Sequence, residues 1–235
     1  MDFNLYFDSN DNGLLATTKF DELEKKMELG IFPKSDYIKV SIADVKAFKP
    51  QSVAFDGVND PHFQSIKAIF SDYVFESVAI HNSTIDLDNT IISCKHLIIG
   101  DNVKMDLNQS NFINIKEVTF LSVKTYKGKI SGLFTTVSKL LLWYENSKSN
   151  NILAEFPNLE ELHIYNGSLT TLVLYGNQKI NTLHLHNCPK LKELDINPDN
   201  LEELIIERCK NLIISSTKIR SIPPFKGFTK SGSMN

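Results

Sequence analysis

Leu159-Glu160-Glu161-Leu162-His163-Ile164, Ile180-Asn181-Thr182-Leu183-His184-Leu185 and Leu201-Glu202-Glu203-Leu204-Ile205-Ile206 are one phrase written three times, each copy 21 residues after the last. In every copy two apolar residues flank a single position, the alternation expected of a β-strand. The same X-apolar-X-apolar pair recurs upstream, giving Val53/Phe55, Val78/Ile80, Leu97/Ile99, Val118/Phe120, Leu140/Leu142, Leu162/Ile164, Leu183/Leu185 and Leu204/Ile206. From Val78 onward the intervals are 19, 21, 22, 22, 21 and 21 residues. A fixed period in the twenties marks a repeat array, because one such unit cannot bury its own apolar face and must share a core with stacked neighbours. Such a chain works through a long surface and not through a deep pocket.

The three sharpest copies resemble the leucine-rich repeat family, whose unit reads LxxLxLxx(N/C)xL, with Cys188 and Cys209 on the N/C position of the last two. Second copies lie half a period away, at Leu169-Thr170-Thr171-Leu172-Val173-Leu174-Tyr175-Gly176-Asn177 and Leu191-Lys192-Glu193-Leu194-Asp195-Ile196. This alternation is similar to the nested bacterial subclass, in which both halves of the repeat are strand-like. The resemblance spans about residues 50–222. Upstream, Ser83, Val123 and Glu145 stand where the family prefers Asn. The implied fold is α/β or mostly β, a leucine-rich-repeat solenoid of about eight parallel-strand coils. The implied function is binding of another protein on the strand face.

Residues 1–49 read as an N-terminal α+β cap. Phe3, Leu5 and Phe7 alternate as in a strand, and Asn12-Gly13 signals a turn before Leu14-Leu15-Ala16. Thr18-Lys19-Phe20-Asp21 is a helix start, with Phe20, Leu23 and Met27 on one face and Gly30 as its stop before Pro33. A strand around Tyr37 to Ile42 leads into the first coil. A cap of this kind shields the apolar edge of a repeat array. The solenoid is expected over 50–222, and a flexible tail over 223–235. Two long inter-strand stretches, Lys124 to Thr136 and Glu145 to Pro157, are expected as loops on the outer side.

With 235 residues, 42% apolar and 23% charged, the chain has the material for one extended core. A net charge of −3 and the lack of a basic stripe argue against nucleic acid as a partner. The first residues carry acid where an export signal needs Lys or Arg, and no apolar run reaches the length of a membrane span. A cytoplasmic protein without membrane contact is the expectation. Three cysteines, Cys94, Cys188 and Cys209, fit a reducing compartment, and the latter two read as buried packing residues.

Strand parity then assigns the outward face. If the apolar pairs point inward, the residues before, between and after them share the other side of the sheet. On four consecutive strands this gathers Leu121, Leu141, Trp143, His163, Tyr165, His184 and His186, with Glu117, Glu161, Glu203 and Glu207 around them. The chain's single Trp lies in this set. Trp and Tyr beside a carboxylate rim have the composition of a protein-binding hot spot. The histidines with Glu161 also have zinc-ligating chemistry, but His is a common polar choice on a strand, and no metal or other cofactor is expected. Neither GxSxG, HExxH, CxxC nor a phosphate-binding glycine loop occurs, so an enzyme is not expected.

The resulting expectation is a non-catalytic recognition module whose partner is another protein, with the oligomeric state open. A small acidic chain of this type fits a bacterial immunity or inhibitor protein that occludes a toxin, its carboxylates steering a basic nuclease. The alternative is a secreted effector or surface adhesion protein aimed at a host protein.

Overall fold

A computed structural model describes residues 4–8, 13–17, 38–41, 43, 50–70, 73–144, 152–174 and 179–213. Two compact units divide the chain, Met1–Ile115 with Thr125–Ser131, and Lys116–Lys124 with Gly132–Asn235. The first holds β1 (Asn4–Asp8), β2 (Gly13–Thr17), β3 (Ile38–Val40), β4 (Ser52–Asp56), β5 (Val74–His81), β6 (Ile92–Ile99), β7 (Leu107–Asn108), β8 (Phe112–Ile113) and β10 (Ile130–Ser131). The second holds β9 (Glu117–Phe120), β11 (Lys139–Trp143), β12 (Glu161–Tyr165), β13 (Thr171–Val173), β14 (Thr182–His186), β15 (Glu193–Asp195) and β16 (Glu203–Glu207). A short helix, α1 (Asp60–Ile66), follows β4. The described chain is thus mostly parallel β-sheet with a short helix, in keeping with an α/β or mostly-β class.

In the first unit the sheet order is β6-β5-β4-β1-β2-β3. Strands β6, β5, β4 and β1 run parallel, whereas β2 is antiparallel to both β1 and β3. The hairpin expected around Asn12-Gly13 is therefore β1–β2, and the strand expected near Tyr37 to Ile42 is β3. Strand β1 lies in register beside β4, with Leu5 opposite Val53 and Phe7 opposite Phe55. The helix expected from Thr18 and the tail over 223–235 lie outside the described residues. In the second unit β16-β14-β12-β11-β9 are all parallel, and β13 pairs with β15 in a separate two-stranded sheet. That small sheet sets Leu172 opposite Leu194, the two half-period copies of the sequence.

The apolar pairs explain why these strands stack. No member of the eight pairs is more than 2% exposed. Within the first unit Val53, Val78 and Leu97 align in one row and Phe55, Ile80 and Ile99 in the next. Within the second, Val118, Leu140, Leu162, Leu183 and Leu204 align, as do Phe120, Leu142, Ile164, Leu185 and Ile206. Each such side chain contributes about 1.5–3 kcal/mol by leaving water. A register slip of one residue would put every one of them on the other face.

The strands end by a shared device. The residue just past β4, β5, β11, β12, β14 and β16 has a left-handed backbone: Gly57, Asn82, Tyr144, Asn166, Asn187 and Arg208, with φ between 43° and 66°. From four of these the N–H donates to the last carbonyl of the neighbouring strand: Gly57 to His81 (3.1 Å), Tyr144 to Tyr165 (3.0 Å), Asn166 to His186 (2.9 Å) and Asn187 to Glu207 (2.8 Å). Asn tolerates this conformation better than most residues. Asn187 Nδ2 also donates to Asn166 Oδ1 at 2.7 Å, and Asn102 Nδ2 to Asn82 Oδ1 at 3.2 Å. These side-chain bonds thus run through Asn82 and Asn187, the residues before Ser83 and Cys188, and not through the positions that the resemblance singles out. Ser83, Cys188 and Cys209 are buried and turn their polar atoms to local backbone groups.

Helix α1 was not anticipated by the periodicity. Asn59 caps it, its side chain accepting the His62 N–H at 3.2 Å, and Pro61 suits the first turn. Its buried Phe63 meets Phe55 edge-on, ring centres 6.2 Å apart, so the helix closes over the core side of β4.

Candidate functional site

The solvent side of the sheets differs between the two units. In the first, the positions between the apolar pairs hold Ala54, Ala79 and Ile98, all at most 5% exposed. This departs from the expectation of an open face. Ser77 Oγ donates to Ser52 Oγ at 2.9 Å on that face, and the His81 imidazole lies over Gly100, where a Cβ would fall 1.8 Å from Nδ1. By register the alanine row lies between the Ser52–Ser77 row and the Asp56–His81 row. Burial holds the His81 imidazole below the ordinary histidine pKa, against the opposing pull of Asp56 and Asp101.

In the second unit the corresponding face is larger and more open. Three rows cross β11, β12, β14 and β16: Lys139, Glu161, Thr182 and Glu203; Leu141, His163, His184 and Ile205; Trp143, Tyr165, His186 and Glu207. Leu121 lies just past β9, and Glu117 pairs in register with Lys139. Trp143, Tyr165, Leu121, Leu141, His184, His186, Glu161 and Glu203 are half-buried, Glu207 is exposed, and His163 is buried at 9%. The expected set is therefore brought onto one face, but its rings shield one another more than simple alternation implies.

Stacking is the cause. The Trp143 and Tyr165 rings lie 4.4 Å apart at 19°, and Tyr165 continues to His186 at 6.1 Å. In the neighbouring row His163 meets His184 edge-on at 4.2 Å. Parallel strands about 4.8 Å apart place like positions at ring-stacking distance, so the register itself builds the ladder.

Each imidazole has its own carboxylate. His186 Nδ1 is 3.0 Å from Glu207 Oε2, a hydrogen bond. His184 Nε2 is 3.4 Å from Glu203 Oε1 and His163 Nε2 is 3.5 Å from Glu161 Oε2, approaches without hydrogen-bond geometry. Glu161 also faces Lys139 Nζ at 3.6 Å. Burial keeps the His163 pKa below the usual histidine range, helped by His184 and Lys139 and opposed by Glu161. Burial likewise raises the Tyr165 hydroxyl. This one-to-one pairing spreads the carboxylates along the rim, and among the described residues no group of three or more His, Cys, Asp and Glu side chains is arranged to hold a metal ion.

Two features escaped the sequence reading. Tyr144, directly after Trp143, is 57% exposed in the left-handed turn where Asn166 and Asn187 stand on later strands. A bulky side chain in that conformation is costly, and Arg208 adopts it too after β16. The signal for Tyr144 was its place in the repeat, one residue after the apolar-pair flank. In the first unit, exposed Val74, Ile91 and Ile113 line an open cleft with Phe70 and Tyr73. Val74 opens β5, Ile91 precedes β6 and Ile113 ends β8, places that the apolar-pair pattern does not distinguish.

No protein-family model matches this chain, and neither curated proteins nor solved structures give a match. Among the described residues no helix is long and apolar enough to cross a membrane.

Proposed function

We propose that this chain is a non-catalytic recognition module that binds another protein across the strand face of β9, β11, β12, β14 and β16. The observation that carries the reading is the stacked Trp143–Tyr165 pair, set beside His163, His184 and His186 and bordered by Glu161, Glu203 and Glu207. Half-buried aromatics held rigid by their neighbours lose little freedom on binding, which is what makes such residues effective anchors. The carboxylates favour a partner that presents Lys or Arg around an apolar centre. An inhibitor or immunity protein that covers a basic toxin domain is a role of that chemistry.

The finer architecture belongs to the same proposal. The 21-residue spacing, the in-register apolar rows within each unit and the repeated left-handed strand exits support a leucine-rich-repeat solenoid of about eight coils over residues 50–222, with 1–49 as its cap. In that family the strand face is the working surface, as the reading requires.

The test is capture from a lysate of the native cell on immobilised wild-type protein and on Trp143→Ala, followed by affinity measurement on the protein retained. Loss of the indole should weaken binding by about 2 kcal/mol or more, near thirtyfold, while the melting temperature stays nearly constant. Equal capture and equal affinity by the two proteins would remove Trp143 from any interface.

A further inference from the structure

Beyond the ends of β14 and β16 the same turn is built twice, and each copy carries a cysteine. His186 and Glu207 are register partners. Asn187 and Arg208 follow with φ of 53° and 56°. Cys188 and Cys209 come next, and each accepts on its carbonyl an N–H from three residues on, Leu191 and Leu212, both at 3.2 Å. The thiols are aimed alike. Cys188 Sγ lies 3.6 Å from the His186 carbonyl and 3.9 Å from that of Ile164, and Cys209 Sγ lies 3.4 Å from the Glu207 carbonyl and 3.8 Å from that of Leu185.

Equivalent residues of adjacent parallel strands are about 4.8 Å apart, inside the Cα separation of about 4.4–6.8 Å that a disulfide spans. Cys188 and Cys209 each stand two residues past the register partners His186 and Glu207, so a bridge closes the Cβ atoms from about the strand spacing to about 3.5–4.5 Å. The pair is also chemically uneven. Hydrogen bonding from the Cys188 thiol holds Cys209 below its ordinary pKa in spite of burial, whereas burial alone pushes the Cys94 thiol up to about 12. Cys209 is thus the readier thiolate, Cys188 stands beside it, and Cys94 has neither advantage.

We propose that Cys188 and Cys209 form a reversible redox site, closed by peroxide into a disulfide that ties the turn after β14 to the turn after β16. The Cys209 thiolate attacks one oxygen of hydrogen peroxide, the O–O bond breaks, and water leaves a sulfenic acid on Cys209. Cys188 Sγ then attacks Cys209 Sγ, the S–O bond breaks, and the hydroxyl departs as a second water with the Cys188 proton. Two thiols and one peroxide give one disulfide and two waters. A dithiol reductant reverses the step by exchange. The site is independent of the strand-face binding reading, because it needs no partner.

The test treats the full reduced chain with hydrogen peroxide at equimolar concentration, alkylates the remaining thiols and measures intact mass and peptide map. The expected product is a monomer that has lost the two thiol hydrogens, carries alkyl only on Cys94 and yields a Cys188–Cys209 linked peptide that dithiothreitol separates. Cys188→Ser should instead leave a sulfenic acid on Cys209, trapped by dimedone. Alkylation of all three cysteines after peroxide, a link involving Cys94, or oxidation of Cys209 to sulfinic acid in the wild-type chain without a linked peptide would each overturn the proposal. The wild-type result stands whether or not the serine variant folds.

Discussion

At Gly100 the lack of one carbon fixes the place of an imidazole. A Cβ there would meet the His81 ring at 1.8 Å, so Gly100→Ala must expel the ring or bend the strand end, at a cost of about 1–3 kcal/mol in thermal or denaturant unfolding. His81 and His163 both have pKa values lowered chiefly by burial. Between the folded and unfolded pKa values the unfolded chain binds more protons, so their contribution to stability is fully present above about pH 6.5 and is lost as the pH falls below it. The melting temperature should therefore fall as the pH is lowered from about 6.5 towards about 5, and the fall should be smaller in His81→Gln. Asn187 makes a further test: Asn187→Ala loses the 2.7 Å bond to Asn166 and places Ala at φ 53°, at a cost of about 1–2 kcal/mol, whereas Asn187→Gly removes the bond but not the allowed conformation and costs less. The resemblance points to Ser83 and Cys188, one residue after Asn82 and Asn187, so these asparagines were not legible as the bonded positions. Local hydrogen bonding, not the motif letter, decides which position carries the Asn–Asn bonds.

The strands were the most legible elements, because burial on a two-residue alternation leaves a mark that each copy of the repeat amplifies. Leu162 and Leu183 are fully buried register partners, and replacing either by Ala should cost about 2–5 kcal/mol of folding stability through lost burial and a residual cavity. That change acts on the core, so a binding defect in those variants should scale with the unfolded fraction, unlike the defect of Trp143→Ala. Helix α1 was missed because its apolar Phe63 and Ile66 fall in the gap between two strand pairs, where the period says only that the chain must return. The capping run Asn59-Asp60-Pro61 was the available signal. Alternation also tells which side of a strand a residue faces without telling what else lies on that side, which is why Ala54, Ala79 and Ile98 are buried where openness was expected. On β11, β12 and β14 the outward side chains are half-buried, and His163 is buried, because their rings stack across the register.

Across the whole chain, the repeat period brought Leu121, Leu141, Trp143, His163, Tyr165, His184 and His186 together on paper, and the register of β11, β12, β14 and β16 sets out the rows that carry all but Leu121, which sits just past β9. The ring stacking and the pairing of one carboxylate with each imidazole were not legible, because both depend on side-chain rotamers that a periodic pattern leaves free. The net charge of −3 is modest, so attraction for a basic partner rests on the local carboxylates and should weaken with salt over the Debye range. Because Trp143 is the chain's single tryptophan, its fluorescence reports on the proposed surface alone. The decisive measurement is acrylamide quenching of that fluorescence in the free protein and in complex with the captured partner. The account predicts an indole accessible to quencher when free and protected when bound. An indole already shielded in the free chain, or one quenched equally in the complex, would contradict it.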